Sequence, residues 1–251
     1  PNLMSSPLRL ETSTTSSWPV RPQTLPDAFA VRTARDAGVT ARRLRARDLD
    51  APFRGVRMRR AAEDRDADDA SPTAQASSRL RRTILRTAAW YAAGAAPDVF
   101  FTHTTAAVIW QLPVPLRLSG AGQEIDVAVR GVRRAPKGAG VRGHQLRAEL
   151  TEVRVHEGLA VAAPATVWAQ LAPLMMVDEL IELGDAIVHI PRRRGMRRGV
   201  PSDAKGTIDD LADAVAAGRR LGAARLRAAL PQIRVGAASP PETRIRLACV
   251  R

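Results

Sequence analysis

Seven arginines in the first quarter of the chain have the type and spacing of a surface that contacts phosphates and base edges. The guanidinium group is planar and can donate two parallel hydrogen bonds to a phosphate or to guanine. A cluster of these groups therefore predicts contact with double-stranded DNA. The predicted DNA-binding arginines are Arg42, Arg43, Arg45, Arg47, Arg54, Arg57 and Arg59.

Two short helices and an extended segment would position these arginines. The first helix follows Pro26 and ends at Gly38, because glycine tolerates the left-handed turn that closes a helix. Small apolar residues recur in it at helical spacing and predict one buried face while Arg32 and Arg35 stay in solvent. The residues of that face are Ala30, Val31, Ala34 and Ala37.

A second, arginine-rich helix is predicted over residues 41–47. Thr40 precedes it and can accept backbone N–H groups as the N-cap, so Thr40 joins the predicted DNA-binding site. Leu44 is the core contact of this helix. Residues 53–59 then alternate in extended form and predict a β-wing, with Val56 and Met58 on one face and Arg57 and Arg59 on the other.

The order helix, turn, arginine-rich helix and wing predicts a winged helix-turn-helix head over residues 24–60, with the second helix in the major groove. A solvated helix face is the alternative for such arginines. Codon composition also explains an arginine bias, since Lys137 and Lys205 are the only lysines. The glycine turn, the capping threonine and the basic segment that follows favour DNA binding.

The overall charge also indicates a polyanionic partner. The 251 residues carry a formal charge of +14, and neutralising phosphates with release of counterions supplies most non-specific affinity for nucleic acid. A hydrophobic content of 45% is ordinary for a protein with well-formed cores. Aromatic residues make up only 4%, so a stacking platform for RNA is not indicated, and an RNA-binding accessory protein remains the weaker alternative.

The single cysteine, Cys249, excludes an intrachain disulfide and a cysteine-based zinc site, which favours a reducing cytoplasm. No stretch reaches the roughly 18 consecutive apolar residues of a membrane span, and no secretory apolar core is present. Residues 1–23, rich in Ser, Thr and Pro, predict a disordered tail. Because Pro1 stands where an initiator methionine is expected, the sequence is interpreted as a fragment or a processed chain.

The rest of the chain predicts an α+β fold. Residues 61–78 are hydrophilic and acidic and predict a linker, and residues 79–190 predict a domain in which helices cover a small antiparallel sheet. A helix is predicted over residues 79–93. Residues 191–235 predict a basic loop followed by helices. The predicted strands lie at residues 124–130, 141–146, 152–156 and 159–161, and the covering helices at residues 165–171 and 177–188.

Three features of this region allow both a chemical and a structural interpretation. His103 follows the predicted N-cap Thr102, but no Ser or Cys nucleophile accompanies it, so a hydrogen bond at the helix end or in the core is favoured over catalysis. The glycine-rich residues 136–140 could cradle a phosphate, yet they lack a P-loop pattern and predict a connecting loop. A third feature is an acidic helix face, predicted to be solvated or to meet a basic partner, formed by Asp178, Glu182 and Asp185.

Three stretches of the chain resemble a known family. The head, the segment FTHTTAAVIWQLPVP and the series VRGHQL, LAVAAPATVWAQLA and DELIELGDAIV resemble actinobacterial antitoxins of the abortive-infection type IV (AbiEi-like) family. The resemblance covers most of residues 25–230. It implies that the winged helix binds operator DNA and represses a toxin–antitoxin operon, while the following domain counters a nucleotidyltransferase-like toxin.

The last segment, residues 236–251, resembles the start of an endonuclease domain of the very-short-patch-repair, PD-(D/E)xK type. In that class Glu242 would be the acidic residue of the first helix near a divalent metal. The other required acidic and lysine residues would lie beyond Arg251, so we expect a truncated domain without a complete metal site. Ser239, Pro240 and Glu242 also fit a capping box with proline in the first turn.

The sequence therefore predicts a non-enzymatic DNA-binding transcriptional regulator of antitoxin type, without catalytic residues, metal or cofactor. Its predicted partners are operator DNA and a nucleotidyltransferase-like toxin, with no membrane. The alternative is a fragment of a PD-(D/E)xK endonuclease whose catalytic core lies beyond the chain end.

Overall fold

The computed structural model describes residues 27–60, 72–119, 124–191, 203–237 and 239–250. The predicted tail, most of the acidic linker and most of the basic loop after residue 191 lie outside these ranges. The described elements, in chain order, are β1 Ala28–Ala30, α1 Val31–Asp36, β2 Leu49–Asp50, β3 Val56–Arg59, α2 Pro72–Ala92, β4 Phe100–Phe101, α3 His103–Ile109, α4 Leu116–Ser119, β5 Ile125–Arg130, β6 Val141–Leu146, β7 Val153–His156, β8 Leu159–Ala162, α5 Pro164–Leu171, α6 Val177–Val188, α7 Ile208–Ala216, α8 Ala223–Ala229 and α9 Pro240–Val250.

Residues 27–60 form a small unit, called the head below, around an antiparallel sheet in the order β1-β3-β2. Met58 of β3 pairs with Ala28 on one side and with Asp50 on the other. The alternation predicted for β3 is confirmed, since Val56 and Met58 are buried and Arg57 and Arg59 are only partly buried. A small apolar cluster closes the head beneath α1 and is formed by Phe29, Ala34, Val39 and Leu44.

The second helix of the head is much shorter than predicted. Instead of residues 41–47, only Arg43–Arg45 are helical, as one turn of 3₁₀-helix, and Ala46 returns to extended backbone. Leu44 alone anchors this segment in the core, so a longer helix would have no second apolar contact to offset its cost. The first helix ends at Asp36, which leaves Ala37 exposed rather than on the predicted buried face.

The remaining residues, called the body below, form an α+β unit around a sheet in the order β6-β5-β4-β8-β7. The antiparallel arrangement predicted for this sheet holds for β4 with β5 and for β7 with β8. The pairs β5–β6 and β4–β8 are parallel, so the sheet is mixed. Strand β5 lies inside the sheet, with α2 and α3 packed against it, and both of its faces are buried. The sequence pattern predicts burial of one face only.

The helices of the body follow the predicted periodicity, with one change at the start of α2. Helix α2 begins at Pro72 instead of residue 79, so residues 72–78 belong to it rather than to the acidic linker. Helix α6 has the predicted bounds, and Leu180 and Ile187 are completely buried. Trp168 of α5 is also buried and donates its indole N–H to the carbonyl of Leu180, at 2.9 Å.

The acidic face of α6 is covered by α9, so the prediction of a solvated face is wrong for two of its three residues. Asp185 is 1% exposed and accepts hydrogen bonds from Arg246, Thr243 Oγ1 and the backbone N–H of Arg234. Glu182 pairs with Arg244 at 2.7 Å. The basic surface that this face meets is therefore the chain's own last described helix.

Among the described residues, no helix combines the length and the apolar character that crossing a membrane requires.

Candidate nucleic-acid interface

Thr40 organises the turn that carries the central arginines. Its Oγ1 accepts a hydrogen bond from the backbone N–H of Arg43 at 3.2 Å, and its carbonyl accepts one from Leu44 at 3.1 Å. Thr40 thus accepts a backbone N–H of the arginine-rich segment as predicted, but the N-cap residue of the 3₁₀ turn is Arg42. Gly38 precedes it with φ of 82°, a value that glycine adopts without strain.

Arg43 does not point freely into solvent. Its two Nη groups donate to the two carboxylate oxygens of Asp48 at 2.8 and 2.7 Å. These hydrogen bonds hold the pKa of Asp48 below its usual value, and the positive charge of Arg59 acts in the same direction. Arg43 thus links the 3₁₀ turn to the segment that follows it, and its Nη donors are used within the head.

Arg57 connects β3 to the same turn. Its Nε donates to the carbonyl of Leu44 at 2.8 Å, and Nη1 donates to its neighbour Val56 O at 2.9 Å. Since the side chain is half-buried, Arg57 acts as a strut between β3 and the 3₁₀ turn. Arg59 is also half-buried on β3, and its backbone N–H donates to Asp27 O.

The other arginines of the predicted site are exposed and have no ion pair or side-chain hydrogen bond within the described residues: Arg42, Arg45, Arg47 and Arg54. Arg32 and Arg35 on α1 share this property. The sequence predicts that both stay in solvent and does not include them in the DNA-binding site. Their spacing of three residues on one exposed helix is the sequence signal for a basic face.

The loop between β2 and β3, which carries Arg54, does not project as a free wing. Phe53 packs edge-to-face on Tyr91 of α2, with ring centroids 5.1 Å apart. Gly94 allows Val56 to approach the end of α2, because a Cβ at this position would lie 2.5 Å from Val56 Cγ2. The wing predicted at residues 53–59 is thus a central strand plus a loop anchored on the body.

A separate polar cluster surrounds His103 at the start of α3. The rings of His103 and His144 stack with centroids 4.1 Å apart, and His144 Nε2 lies 2.9 Å from Asp126 Oδ1. Parallel pairing of β5 and β6 brings Asp126 and His144 together. His103 has φ of 46°, a left-handed conformation that is uncommon outside glycine. Burial and the neighbouring His144 lower the pKa of His103 to about 4.

The hydrogen bonds of this cluster do not activate a nucleophile. The Thr102 hydroxyl donates to Gln170 Oε1 at 2.7 Å. The hydroxyl oxygen of Thr102 also lies 3.2 Å from His103 Nδ1. Because the hydroxyl proton of Thr102 points to Gln170, Thr102 Oγ1 can only accept a hydrogen bond from His103. The geometry therefore fits a neutral His103 whose Nδ1–H donates to Thr102 Oγ1. The His103 ring is thus hydrogen-bonded to Thr102, the residue before α3. Thr102 precedes α3 as predicted, but its side chain bonds Gln170 instead of capping the helix.

No family model and no curated protein matches the chain. The resemblance to the antitoxin family stays a prediction carried by the sequence motifs, and the assignment of a function depends on geometry and charge.

Glu242, the residue that the endonuclease resemblance would place near a metal, lies in the first turn of α9. The Ser239 hydroxyl donates to its carboxylate at 3.2 Å, and Pro240 opens the helix. Within the described ranges, no group of three His, Cys, Asp or Glu side chains is arranged to hold a metal ion. The geometry around Glu242 is that of a helix start.

Proposed function

We propose that the protein is a cytoplasmic transcriptional regulator that binds double-stranded DNA through its head, used as a winged helix-turn-helix. The observation that carries the proposal is the set of exposed arginines without carboxylate partners around one capped turn, Arg42, Arg45 and Arg47. The sequence of a helix, a turn, a second helical turn and an antiparallel β2–β3 pair in the head supports this proposal.

In this proposal the arginines divide into two roles. Arg42, Arg45 and Arg47 contact the DNA, where each phosphate contact contributes roughly −0.9 to the slope of log K against log salt concentration. Arg43 and Arg57 position the turn through Asp48 and Leu44 O. A single 3₁₀ turn offers few side chains to the base edges, so phosphate contacts carry most of the affinity and base contacts a smaller share.

The regulated target is the operon that encodes the protein, and the partner is a nucleotidyltransferase-like toxin that the body counters. The resemblance of the sequence motifs to type IV antitoxins supports this part of the proposal. The protein acts without catalysis, metal or cofactor. Co-expression with the nucleotidyltransferase gene of the same operon, followed by a growth assay, tests the toxin partner separately from DNA binding.

Fluorescence anisotropy tests the DNA contact directly. The probe is a labelled duplex from the region upstream of the protein's own gene, and a shuffled duplex measures non-specific binding. We expect the triple variant Arg42→Ala/Arg45→Ala/Arg47→Ala to lose at least about tenfold in affinity near 100 mM salt and to show a shallower salt slope.

A matched triple variant removes the same charge from exposed, unpaired arginines of the body: Arg130→Ala, Arg219→Ala and Arg227→Ala. We expect it to bind the promoter duplex nearly as the wild type does. Equal losses of affinity in the two triple variants would show that only the overall charge matters and that the head makes no specific contact. Wild-type affinity in the head variant would overturn the proposed interface.

A further inference from the structure

A cleft of about 670 Å³ lies between the head and the body. The β2–β3 loop of the head forms one wall, and the end of α2 with residues 94–99 and the connection between β5 and β6 form the others. Small-molecule sites in proteins typically enclose about 300–1,000 Å³ and often lie between two structural units. The cleft therefore has the size and the location of a ligand site.

The charges along the cleft are all of one sign. Five cationic side chains line it, and none of the described lining residues carries a carboxylate. Two of the five are engaged: Arg57 donates to Leu44 O, and Arg133 pairs with Asp98 outside the lining. The remaining three are exposed and make no ion pair or side-chain hydrogen bond within the described ranges: Arg54, Arg134 and Lys137.

Three unpaired cations that share a concave surface repel one another and raise the local concentration of anions. Arg54 belongs to the head, whereas Arg134 and Lys137 belong to the connection between β5 and β6. An anion held by all three would contact both units at once. A phosphate group suits this geometry, because it accepts hydrogen bonds from several guanidinium and ammonium groups together.

The rest of the lining includes apolar and aromatic side chains. Phe53 and Tyr91 meet edge-to-face there, and Val56, Val99 and Val129 also line the cleft. Aromatic side chains accept a flat ring by stacking or edge contact. A ligand suited to this lining thus combines a planar ring with negative charge.

Two glycines build the walls at the level of the backbone. A Cβ at Gly94 would lie 2.5 Å from Val56 Cγ2, and a Cβ at Gly143 would lie 1.8 Å from the carbonyl oxygen of Pro136. Gly94 brings the head against α2, and Gly143 lets the β5–β6 connection cross β6 closely. The backbone around the cleft is therefore closely packed.

We propose that this cleft binds a nucleotide unit, with its phosphates on Arg54, Arg134 and Lys137 and its base against Phe53 and Tyr91. The same chemistry is offered by a free nucleoside polyphosphate and by an unpaired nucleotide of a nucleic-acid strand. This site is distinct from the DNA contact proposed for the 3₁₀ turn, since Arg134 and Lys137 lie in the body. A ligand bound there would contact both the head and the body.

Isothermal titration calorimetry of the full chain tests the cleft. The probes are ATP, inorganic triphosphate, adenosine and a five-nucleotide single-stranded DNA. We expect ATP or the oligonucleotide to bind, triphosphate and adenosine to bind more weakly, and the variant Arg134→Ala/Lys137→Ala to lose at least about tenfold in affinity, since two phosphate contacts are removed. The matched variant Arg219→Ala/Arg227→Ala should keep wild-type affinity.

The outcomes separate the two sources. Binding of ATP that the cleft variant loses identifies a free nucleotide, and binding of the oligonucleotide alone identifies a nucleic-acid strand. The proposal is overturned if neither probe binds at millimolar concentration, or if the Arg134→Ala/Lys137→Ala variant binds as the wild type does. The head variant Arg42→Ala/Arg45→Ala/Arg47→Ala should retain nucleotide binding, so a failure of either proposal can be recognised independently.

Discussion

The imidazole ring of His103 stacks on that of His144 at 4.1 Å, yet only His144 has a carboxylate partner, Asp126. A protonated His103 would be buried beside a second imidazole without a direct counter-ion, which is why its pKa falls to about 4. The pair therefore contains one histidine that folding keeps neutral and one that a carboxylate orients. This asymmetry makes the stability of the body sensitive to pH.

We predict that the protein loses stability as the pH falls from about 6.5 to about 4 because of His103. The pKa of His103 in the folded state lies below the usual histidine value of 6.5, so the unfolded chain binds more protons in this window. The stabilising contribution is complete above the window and falls by about 2 kcal/mol at pH 5. Urea unfolding at pH 7.5 and pH 5 measures this loss.

The comparison variant for this prediction is His103→Asn, because asparagine also tolerates a left-handed backbone. Its stability should depend less on pH than that of the wild type. His156→Gln serves as the control, since His156 stacks on Trp110 outside the cluster. Parallel pH profiles for wild type and His103→Asn would rule out His103 as the titrating group.

Arg45 and Arg57, which the sequence placed in one DNA-binding set, should separate in experiment. Arg57→Ala removes two charge-assisted hydrogen bonds to Leu44 O and Val56 O and should lower the free energy of unfolding by roughly 1–3 kcal/mol. Arg45→Ala removes an exposed side chain and should change it by less than about 0.5 kcal/mol. Urea unfolding and anisotropy on the same samples distinguish the two roles. An Arg57→Ala protein as stable as the wild type would show that Arg57 does not stabilise the contact between β3 and the 3₁₀ turn.

Asp185→Asn should destabilise the protein by about 3 kcal/mol, because it leaves the charge of Arg246 without its partner. The Asp185 side chain is 1% exposed, and Arg246 Nε already lacks a hydrogen-bond partner in the described structure. Glu152→Gln breaks an exposed pair with Arg154 and should cost less than about 1 kcal/mol. Hydrogen exchange should show α9 losing protection in Asp185→Asn alone, and equal effects of the two substitutions would argue against a docked helix.

Gly184→Ala in α6 should destabilise the protein, although alanine is the better helix former. A Cβ at Gly184 would lie 2.3 Å from Ile233 Cδ1, and Ile233 is 1% exposed and has little room to move. We expect a net loss of roughly 1–2 kcal/mol after the gain in helix propensity.

Shortening the neighbour should relieve this clash, so the loss caused by Gly184→Ala should shrink in an Ile233→Ala background, in a double-mutant cycle measured by urea unfolding. Gly236→Ala, with open space around its Cβ position, is the control. Additive effects of the two substitutions would show that the helix accommodates the methyl group elsewhere.

The elements with a strong local period were predictable from the sequence. Helix α6 has its predicted bounds, and strand β6 spans the predicted residues 141–146. Apolar side chains at helical spacing determine which face of α6 is buried, so the fully buried Leu180 and Ile187 follow directly from the pattern. The α+β class follows from the mixture of such segments.

The features that depend on long-range pairing could not be predicted. Asp126 and His144 are brought together by the parallel pairing of β5 and β6, and His103 reaches them from α3, which packs on β5; periodicity specifies neither contact. The roles of the arginines depend on the carboxylates and carbonyls that the fold places beside them, as with Arg43 and Asp48. The arginine-rich helix is shorter than predicted. Its arginines indicate an exposed surface, but Leu44 alone anchors the segment in the core.

The contact between α6 and α9 also determines the position of α9 along the axis of α6. A shift of α9 by one helical turn, about 5.4 Å, would carry Arg244 and Arg246 away from Glu182 and Asp185 together and leave the buried Asp185 carboxylate uncompensated. An apolar contact such as that of Leu247 distinguishes much less between neighbouring positions. The charge pairs thus specify the register of α9 on α6.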